Sequence, residues 1–511
     1  LVLTSVQGML SSFLLEEQKK YRLEIIIMTP SVLIIGCGMA GLSAGCYARM
    51  NGFDTEIVEM HSIPGGLCTA WSRKGYTFDL CIHWLCGSKP GTSLYKVYEK
   101  LGLMKDRHFS YSESWATIRD EHGNEIRLYT DPGRLYDELI RISPEDSRFI
   151  ARLCKDIRKI SRMEPPVDLS IMDIIRYIPV MGLMKRYKPA VQDVLSEVKS
   201  PVLRNLLAAG LGWESQSMFF PLMGLAMQWG ENAGYPEGGS LPFAEAIEKR
   251  YLELGGTIRY KSRVVSIITE KNRATGVRLS DGTELNADYV ISCADGHTTI
   301  FDWLKGEYCD DTIRGYYQNL EPFPPIVFIS FGLNTDLAHV PKDLIVLPDK
   351  PVKIAGMEQG IIRFMNHVHD PSHYPKGKGV ITTWIPTDYS FWEQFTYQSE
   401  AYRSEKELAG KMIFDLLCQQ YPELSGSCEV MDVATPLTFV RYTGNWKGSY
   451  EGWQVTPDSF FLDLPQTLPG LSRFYMAGQW VVTGGGIPGA VLSGRKAVKL
   501  MCRDIGKKFV G

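Results

Sequence analysis

Residues 31–66, SVLIIGCGMAGLSAGCYARMNGFDTEIVEMHSIPGG, decide the fold. The run Val32, Leu33, Ile34, Ile35 is apolar and β-branched, the composition of a strand buried on both faces of a parallel sheet. Gly36, Gly38 and Gly41 follow at once as G-x-G-x-x-G, with Cys37, Met39 and Ala40 between them. A helical pattern through Leu42, Ala44, Tyr47, Ala48 and Met50 stops at Asn51-Gly52. A second strand, Thr55 to Val58, ends on the acidic Glu59. Gly36 permits the tight turn, Gly38 lets backbone approach a pyrophosphate, and Gly41 lets helix pack on strand. The helix N-terminus receives the phosphates and Glu59 accepts hydrogen bonds from a ribose. Glycine turns alone are common; strand, helix and acid in this order make a specific dinucleotide signal.

At 511 residues and 44% hydrophobic content the chain can bury a large core and divides into two or more domains. Lys plus Arg (55) nearly balances Asp plus Glu (58), so no global field points to nucleic acid. The eleven cysteines are odd in number and contain no C-x-x-C pair, which predicts reduced thiols in a cytoplasmic protein. Cys81 and Cys86 with His83 lack the spacing of a metal site, and none is predicted. No apolar run is long enough to span a bilayer. Residues 1–27 carry Glu16, Glu17, Lys19, Lys20, Arg22 and Glu24, unlike a secretory signal, and read as a disordered extension ahead of Met28.

Beyond Glu59, the pair Gly65-Gly66 leaves room for a ribityl chain and pyrophosphate, a feature of FAD rather than NAD sites. Residues 92–103 read as a helix. Residues 106–234 read as helical, with Ile171 to Lys188 split into two short helices by Pro179. That basic and apolar stretch reads as a core helix with a solvated edge or, alternatively, as a membrane-surface contact through which an oily substrate enters. Met218 to Trp229 lines a cavity or core. After Pro236, Gly238 and Gly239, a helix is predicted from Pro242 to Leu254 and a strand from Thr257 to Tyr260. A hairpin-like unit follows, with strand Leu285 to Val290, returning the chain to the nucleotide-binding sheet; backbone near Val264 meets the adenine edge.

Residues 301–454 read as a largely antiparallel sheet with one helix, Glu405 to Gln420, forming the floor of a substrate chamber. His367, His369 and His373 have neither metal nor triad spacing and read as surface or structural. In the last cluster a strand, Phe474 to Ala477, meets Gly478, and a helix begins around Pro488-Gly489. Gly484, Gly486 and Gly489 repeat the G-x-G-x-x-G spelling, but no acid-ending strand follows. This helix start, with Ala490, is aimed at the pyrimidine end of an isoalloxazine ring. The fold class is α/β: a Rossmann-like FAD-binding domain from discontinuous segments (28–105, 235–300, 455–511) plus an α+β substrate domain (106–234, 301–454).

On these motifs, and on Thr435-Pro436 and Gly452-Trp453, the chain resembles the FAD-dependent phytoene desaturases, carotenoid isomerases and retinol saturases of the amine-oxidase-like superfamily. The resemblance implies noncovalent FAD, there being no cysteine in the C-terminal loop. It implies hydride transfer at flavin N5 to or from C–C and C=C bonds of a hydrophobic polyene or isoprenoid. Leu67 stands where the family often has a basic residue, and Gln479 where it has an acid; Gln479 can still bond a ribityl hydroxyl. His83 and Trp84 are placed near the flavin face, with Tyr442 as an alternative pocket donor. A single Rossmann unit leaves electrons to an external nicotinamide or other donor or acceptor. The expected location is cytoplasmic with peripheral membrane contact, and oligomeric state stays open. The rival reading is an FAD-dependent amine oxidase; a flavin-holding scaffold without turnover is the third.

Overall fold

The computed structural model describes residues 29–164, 167–168, 171–460 and 462–511, and not the side chains of 171–177 and 179. The extension 1–27 lies outside the described residues.

Ser31–Ile35 is the middle strand of a five-stranded parallel sheet. The order is Thr257–Arg259, Asp54–Val58, Ser31–Ile35, Tyr289–Ser292, Phe474–Met476. Both its faces are covered, as its unbroken apolar run requires. Helices Met39–Met50, Ser240–Glu253 and Gly486–Asp504 form one layer, with Leu42, Ile247 and Val498 fully buried between them and the sheet. On the other face Leu33 and Val290 pack against a three-stranded antiparallel sheet, Val264–Glu270, Arg273–Leu279 and Glu284–Asn286. The predicted strand Leu285 to Val290 is therefore two strands in two sheets. Asp288, between them, is tied to Ser31 at 2.9 Å and redirects the chain.

The second sheet has seven strands in the order Cys428–Ala434, Ile326–Leu333, Gly379–Pro386, Ile362–Asn366, Asp343–Val346, Ser114–Arg119, Glu125–Tyr129. It is antiparallel except where Asp343–Val346 runs parallel to Ser114–Arg119. Residues 106–234 are thus not wholly helical. Their first part is a hairpin whose buried Ala116, Ile118, Ile126 and Leu128 alternate with outward residues around a turn held by Asp120 and Asn124. The remainder is helical: Pro132–Ile142, Ser147–Ile160, Pro201–Leu211 and Phe219–Trp229 share that hairpin's core.

Three boundaries differ from expectation. Ile171–Tyr187 is one helix through Pro179. Proline removes a single backbone bond, and the flanking turns are held by buried Val180, Leu183 and Tyr187, whose hydroxyl donates to Asp156 at 3.0 Å. The last helix begins at Gly486, so Pro488 occupies its first turn, where no backbone donor is needed. The long helix spans Glu400–Gln420, and Ile413 and Leu417 pack against Val327, Ile329 and Phe331. It backs the sheet from the far side; the sheet itself, through Ile326, Arg363 and Trp384, forms the chamber wall. No helix among the described residues is long and apolar enough to cross a membrane.

Candidate active site

One cavity of about 1000 Å³ runs from the first glycine turn to the seven-stranded sheet. At its polar end the G-x-G-x-x-G geometry is specific. Gly36 has φ +98°, and its N–H donates to Val58 O at 2.8 Å, closing the turn over the second strand. A Cβ at Gly41 would stand 1.9 Å from Gly36 O, so only glycine lets the helix start there. A Cβ at Gly38 would meet nothing nearer than Gly65 O at 3.8 Å; its bareness serves the space above, not the packing below. Met39 and Ala40 turn their N-terminal helix backbone to the same space.

Glu59 lines the cavity and is buried. Its two oxygens each accept a backbone N–H at 2.7 Å, from Cys37 and from His61. The carboxylate therefore clamps the glycine turn to the next loop and keeps lone pairs for a ribose. Gly65 and Gly66 both have positive φ, and Gly66 lies beside Gly38, bringing two bare backbones together. Leu67, Val264, Gly478, Gln479, Gly486, Pro488, Gly489 and Ala490 line the same space. The Gln479 Nε2 group is buried without a partner, an amide donor awaiting an acceptor. The bare cradle and this orphaned amide fit a flavin dinucleotide, to which Gln479 would offer a hydrogen-bond donor. Cys293 also lines the cavity, and burial pushes its thiol well up, away from the nucleophilic thiolate.

The opposite end is apolar and aromatic: Trp84, Trp115, Leu211, Phe220, Met223 and Trp384. Trp84 and Trp115 sit 5.9 Å apart, and a Cβ at Gly224 would come within 2.8 Å of Trp115, so that glycine makes room for the ring. His83 packs edge-on against Trp384 at 4.7 Å with Nε2 buried and unpartnered. Burial pushes its pKa down to about 4, partly offset by Asp343, leaving a neutral imidazole in the wall at neutral pH. It is no ready proton donor. Tyr442, the other expected donor, lies at the cavity's edge, 46% exposed, with its ring on His61.

Of the two alternatives expected for these histidines, surface or structural, His367 and His373 take the structural one, being buried. Tyr235 donates to Asp370 at 3.0 Å, beside His373, and the Gly238 N–H reaches the same carboxylate at 2.8 Å. This network anchors the loop before helix Ser240–Glu253. Among the described residues no group of His, Cys, Asp or Glu is arranged to hold a metal.

The charged lining of the cavity includes residues not singled out in the sequence: Arg263, Asp295, Asp302, Arg363 and Glu451. Arg363 lines it while donating to Asp343 at 2.8 Å. Glu451 lines it without a hydrogen-bond partner. Its setting, GSYEGW, carries no local signal that marks the acid, whose place depends on the glycine loop it packs against.

The family profile "Flavin containing amine oxidoreductase" matches residues 39–502. Prolycopene isomerase of Arabidopsis thaliana is 24% identical over 495 residues, covering 93% of this chain and 83% of that protein. The lycopene-forming phytoene desaturase of Pseudescherichia vulneris is 24% identical over 505 residues, covering 93% and 99%. Among solved structures, an oxidoreductase from Methanosarcina mazei superposes with a TM-score of 0.56 at 19% identity, covering 92% of this chain and 100% of that one. Cyclohexylamine oxidase from Brevibacterium oxydans gives 0.57 at 16%, covering 94% and 100%. The two structures speak to the fold alone. With the profile spanning nearly the whole chain over a cradle shaped for a flavin dinucleotide, the protein belongs to the flavin containing amine oxidoreductase family and is a flavin-dependent oxidoreductase.

Proposed function

We propose that the chain binds FAD noncovalently and acts on C–C or C=C bonds of a hydrophobic polyene or isoprenoid, by desaturation, saturation or isomerisation. One observation carries this reading. The cavity that begins at the dinucleotide cradle continues, without a separating wall, into a chamber of tryptophans and aliphatics. A long apolar substrate needs enclosure and dryness more than polar contacts. The likeness to a prolycopene isomerase and to a phytoene desaturase favours it as well.

A bound flavin supplies hydride exchange with the substrate. The chain's own residues do the rest. Gly38, Gly65 and Gly66 let backbone reach the pyrophosphate, Glu59 fixes the ribose, and Gln479 donates to the ribityl chain. The first turn of helix Gly486–Asp504 presents unused N–H groups to the pyrimidine end, favouring the anionic charge of the reduced ring. Trp84, Trp115 and Trp384 exclude water. Electrons come from or go to an external partner, a nicotinamide among the candidates.

We also place the protein peripherally on a membrane, through helix Ile171–Tyr187. Ile178 and Met181 are 60% and 59% exposed on it, with Lys185 and Arg186 alongside. The cytoplasmic side is proposed for the reduced cysteines, all eleven of which are free.

Anaerobic photoreduction of the bound flavin, followed by addition of all-trans-retinol or a carotenoid, tests the reading. Reoxidation with loss of a double bond marks a saturase. Bleaching of the oxidised flavin by phytoene marks a desaturase. Bleaching by amines and silence toward every polyene establishes the amine-oxidase alternative instead.

A further inference from the structure

Removing or adding a pair of hydrogens across a carbon–carbon bond moves a proton as well as a hydride, and the flavin cradle offers no place for the proton. His83 is neutral and walled in, and Tyr442 is at the rim. Of the other acids lining the cavity, Glu59 and Asp295 are held by backbone N–H groups and Asp302 is exposed, which leaves Glu451.

Its position is set rigidly. Trp453 pairs with Thr483, and the Gly484 N–H donates to Trp453 O at 2.8 Å, lacing the Glu451 segment to the glycine loop that opens the last helix. A Cβ at Gly485 would stand 2.1 Å from Glu451 Cγ, and one at Gly486 would stand 3.7 Å from Oε1. The acid therefore lies against the glycine loop, and both line the shared cavity.

We propose that Glu451 is the acid–base residue of the reaction, exchanging the proton that accompanies hydride transfer between flavin and substrate. In desaturation one C–H bond breaks as hydride to the oxidised flavin. The neighbouring C–H bond breaks with its proton going to the Glu451 carboxylate, and its electron pair becomes the new π bond. Saturation is the reverse: hydride from reduced flavin to one carbon, proton from the Glu451 carboxyl to the other. The inference rests on the polyene reading above.

The electrostatics suit this role. No cation stands against the carboxyl among the described residues. The glycine loop brings no charge, and the titratable neighbour is the Tyr450 phenol. Burial alone pushes the acid's pKa up to about 8, so at neutral pH it holds the proton that saturation donates, and the ionised form that desaturation uses gains population as pH rises toward 8. A carboxylate permanently ionised beside the reduced, anionic flavin would oppose the redox step; a protonated one does not.

The test compares flavin-loaded wild type with Glu451→Gln and Glu451→Ala, using phytoene and all-trans-retinol in detergent micelles. We expect Glu451→Gln to keep the flavin spectrum and the quenching of cavity tryptophans by polyene. Its flavin half-reaction should fall by roughly 100-fold or more. Formate should restore part of the rate in Glu451→Ala. Infrared spectra of the wild type at neutral pH should show a protonated-carboxyl stretch that Glu451→Gln lacks. A wild type that reacts with polyene while Glu451→Gln reacts as fast overturns the inference alone, as does a carboxyl band unchanged by the substitution. If Glu451→Gln loses flavin, the formate response of Glu451→Ala decides: recovery supports the role and none overturns it. A wild type reduced by amines and by no polyene ends the polyene reading and this inference together.

Discussion

Two glycines three residues apart, Gly38 and Gly41, do different work, and substitution separates them. Gly41→Ala forces a Cβ against Gly36 O, displacing the helix from the first strand. Overpacking of that kind costs about 1–3 kcal/mol. We expect lowered thermal stability even in apoprotein, together with flavin loss. Gly38→Ala meets only open space above the turn, so apoprotein stability should stay near wild type while flavin affinity collapses. Calorimetry of the two apoproteins beside flavin titration checks the contrast. Burial of Glu451 has a thermodynamic sign as well. Its folded pKa of about 8 lies above its unfolded value near 4.5. The folded state is therefore relatively favoured below the unfolded pKa, and that advantage is lost as pH rises through 8. Relative to wild type, the melting temperature of Glu451→Gln apoprotein should rise progressively across that window; a constant offset at all pH values would contradict it. At this scale much was legible: Gly36, Gly38, Gly41 and Glu59 could be assigned because local spacing alone defines their chemistry. Glu451 was not, because an acid's role depends on which loop it is laced to and whether water reaches it.

At the scale of elements, helix Phe219–Trp229 shapes the chamber, presenting Phe220 and Met223 to the cavity and Leu222 and Ala226 to the core. Gly224→Ala would press on Trp115 and tilt it into the substrate space. Polyene binding, measured by tryptophan quenching, should weaken by about tenfold, the scale of 1–2 kcal/mol of misfit, with flavin content unchanged. Helix Ile171–Tyr187 makes a second prediction. Ile178→Glu with Met181→Glu should abolish cosedimentation with anionic vesicles while leaving flavin content and solubility intact; undiminished cosedimentation removes this helix from any membrane contact. Both helices were visible as apolar segments. The strands Ser114–Arg119 and Glu125–Tyr129 were missed although their alternation around Gly123 is a legible hairpin signal. They are short and flanked by helical sequence, and Ser114–Arg119 joins the sheet by pairing with Asp343–Val346, far along the chain.

For the whole molecule, the flavin cradle is assembled from residues near 36–67, 264, 293 and 478–490, drawn together by the parallel sheet and the antiparallel sheet packed on it. A ligand bridging such distant segments stabilises the folded state by mass action, about 2.7 kcal/mol at a hundredfold excess over its dissociation constant. Removing flavin should therefore lower the melting temperature, and readdition of FAD should restore it; equal melting of the two forms would mean the cradle binds weakly. The sequence by itself determined the dinucleotide turn, the parallel sheet it belongs to and the aromatic, apolar character of the middle of the chain, because each rests on periodicity or spacing within a few dozen residues. Only the tertiary structure decided that the long helix backs the chamber instead of flooring it, that His83 is a neutral wall residue, and that Glu451 stands beside the flavin loop. Burial and proximity arise from contacts between segments well separated in the chain, such as Glu451 with Gly485 and His83 with Trp384, and no local pattern encodes them.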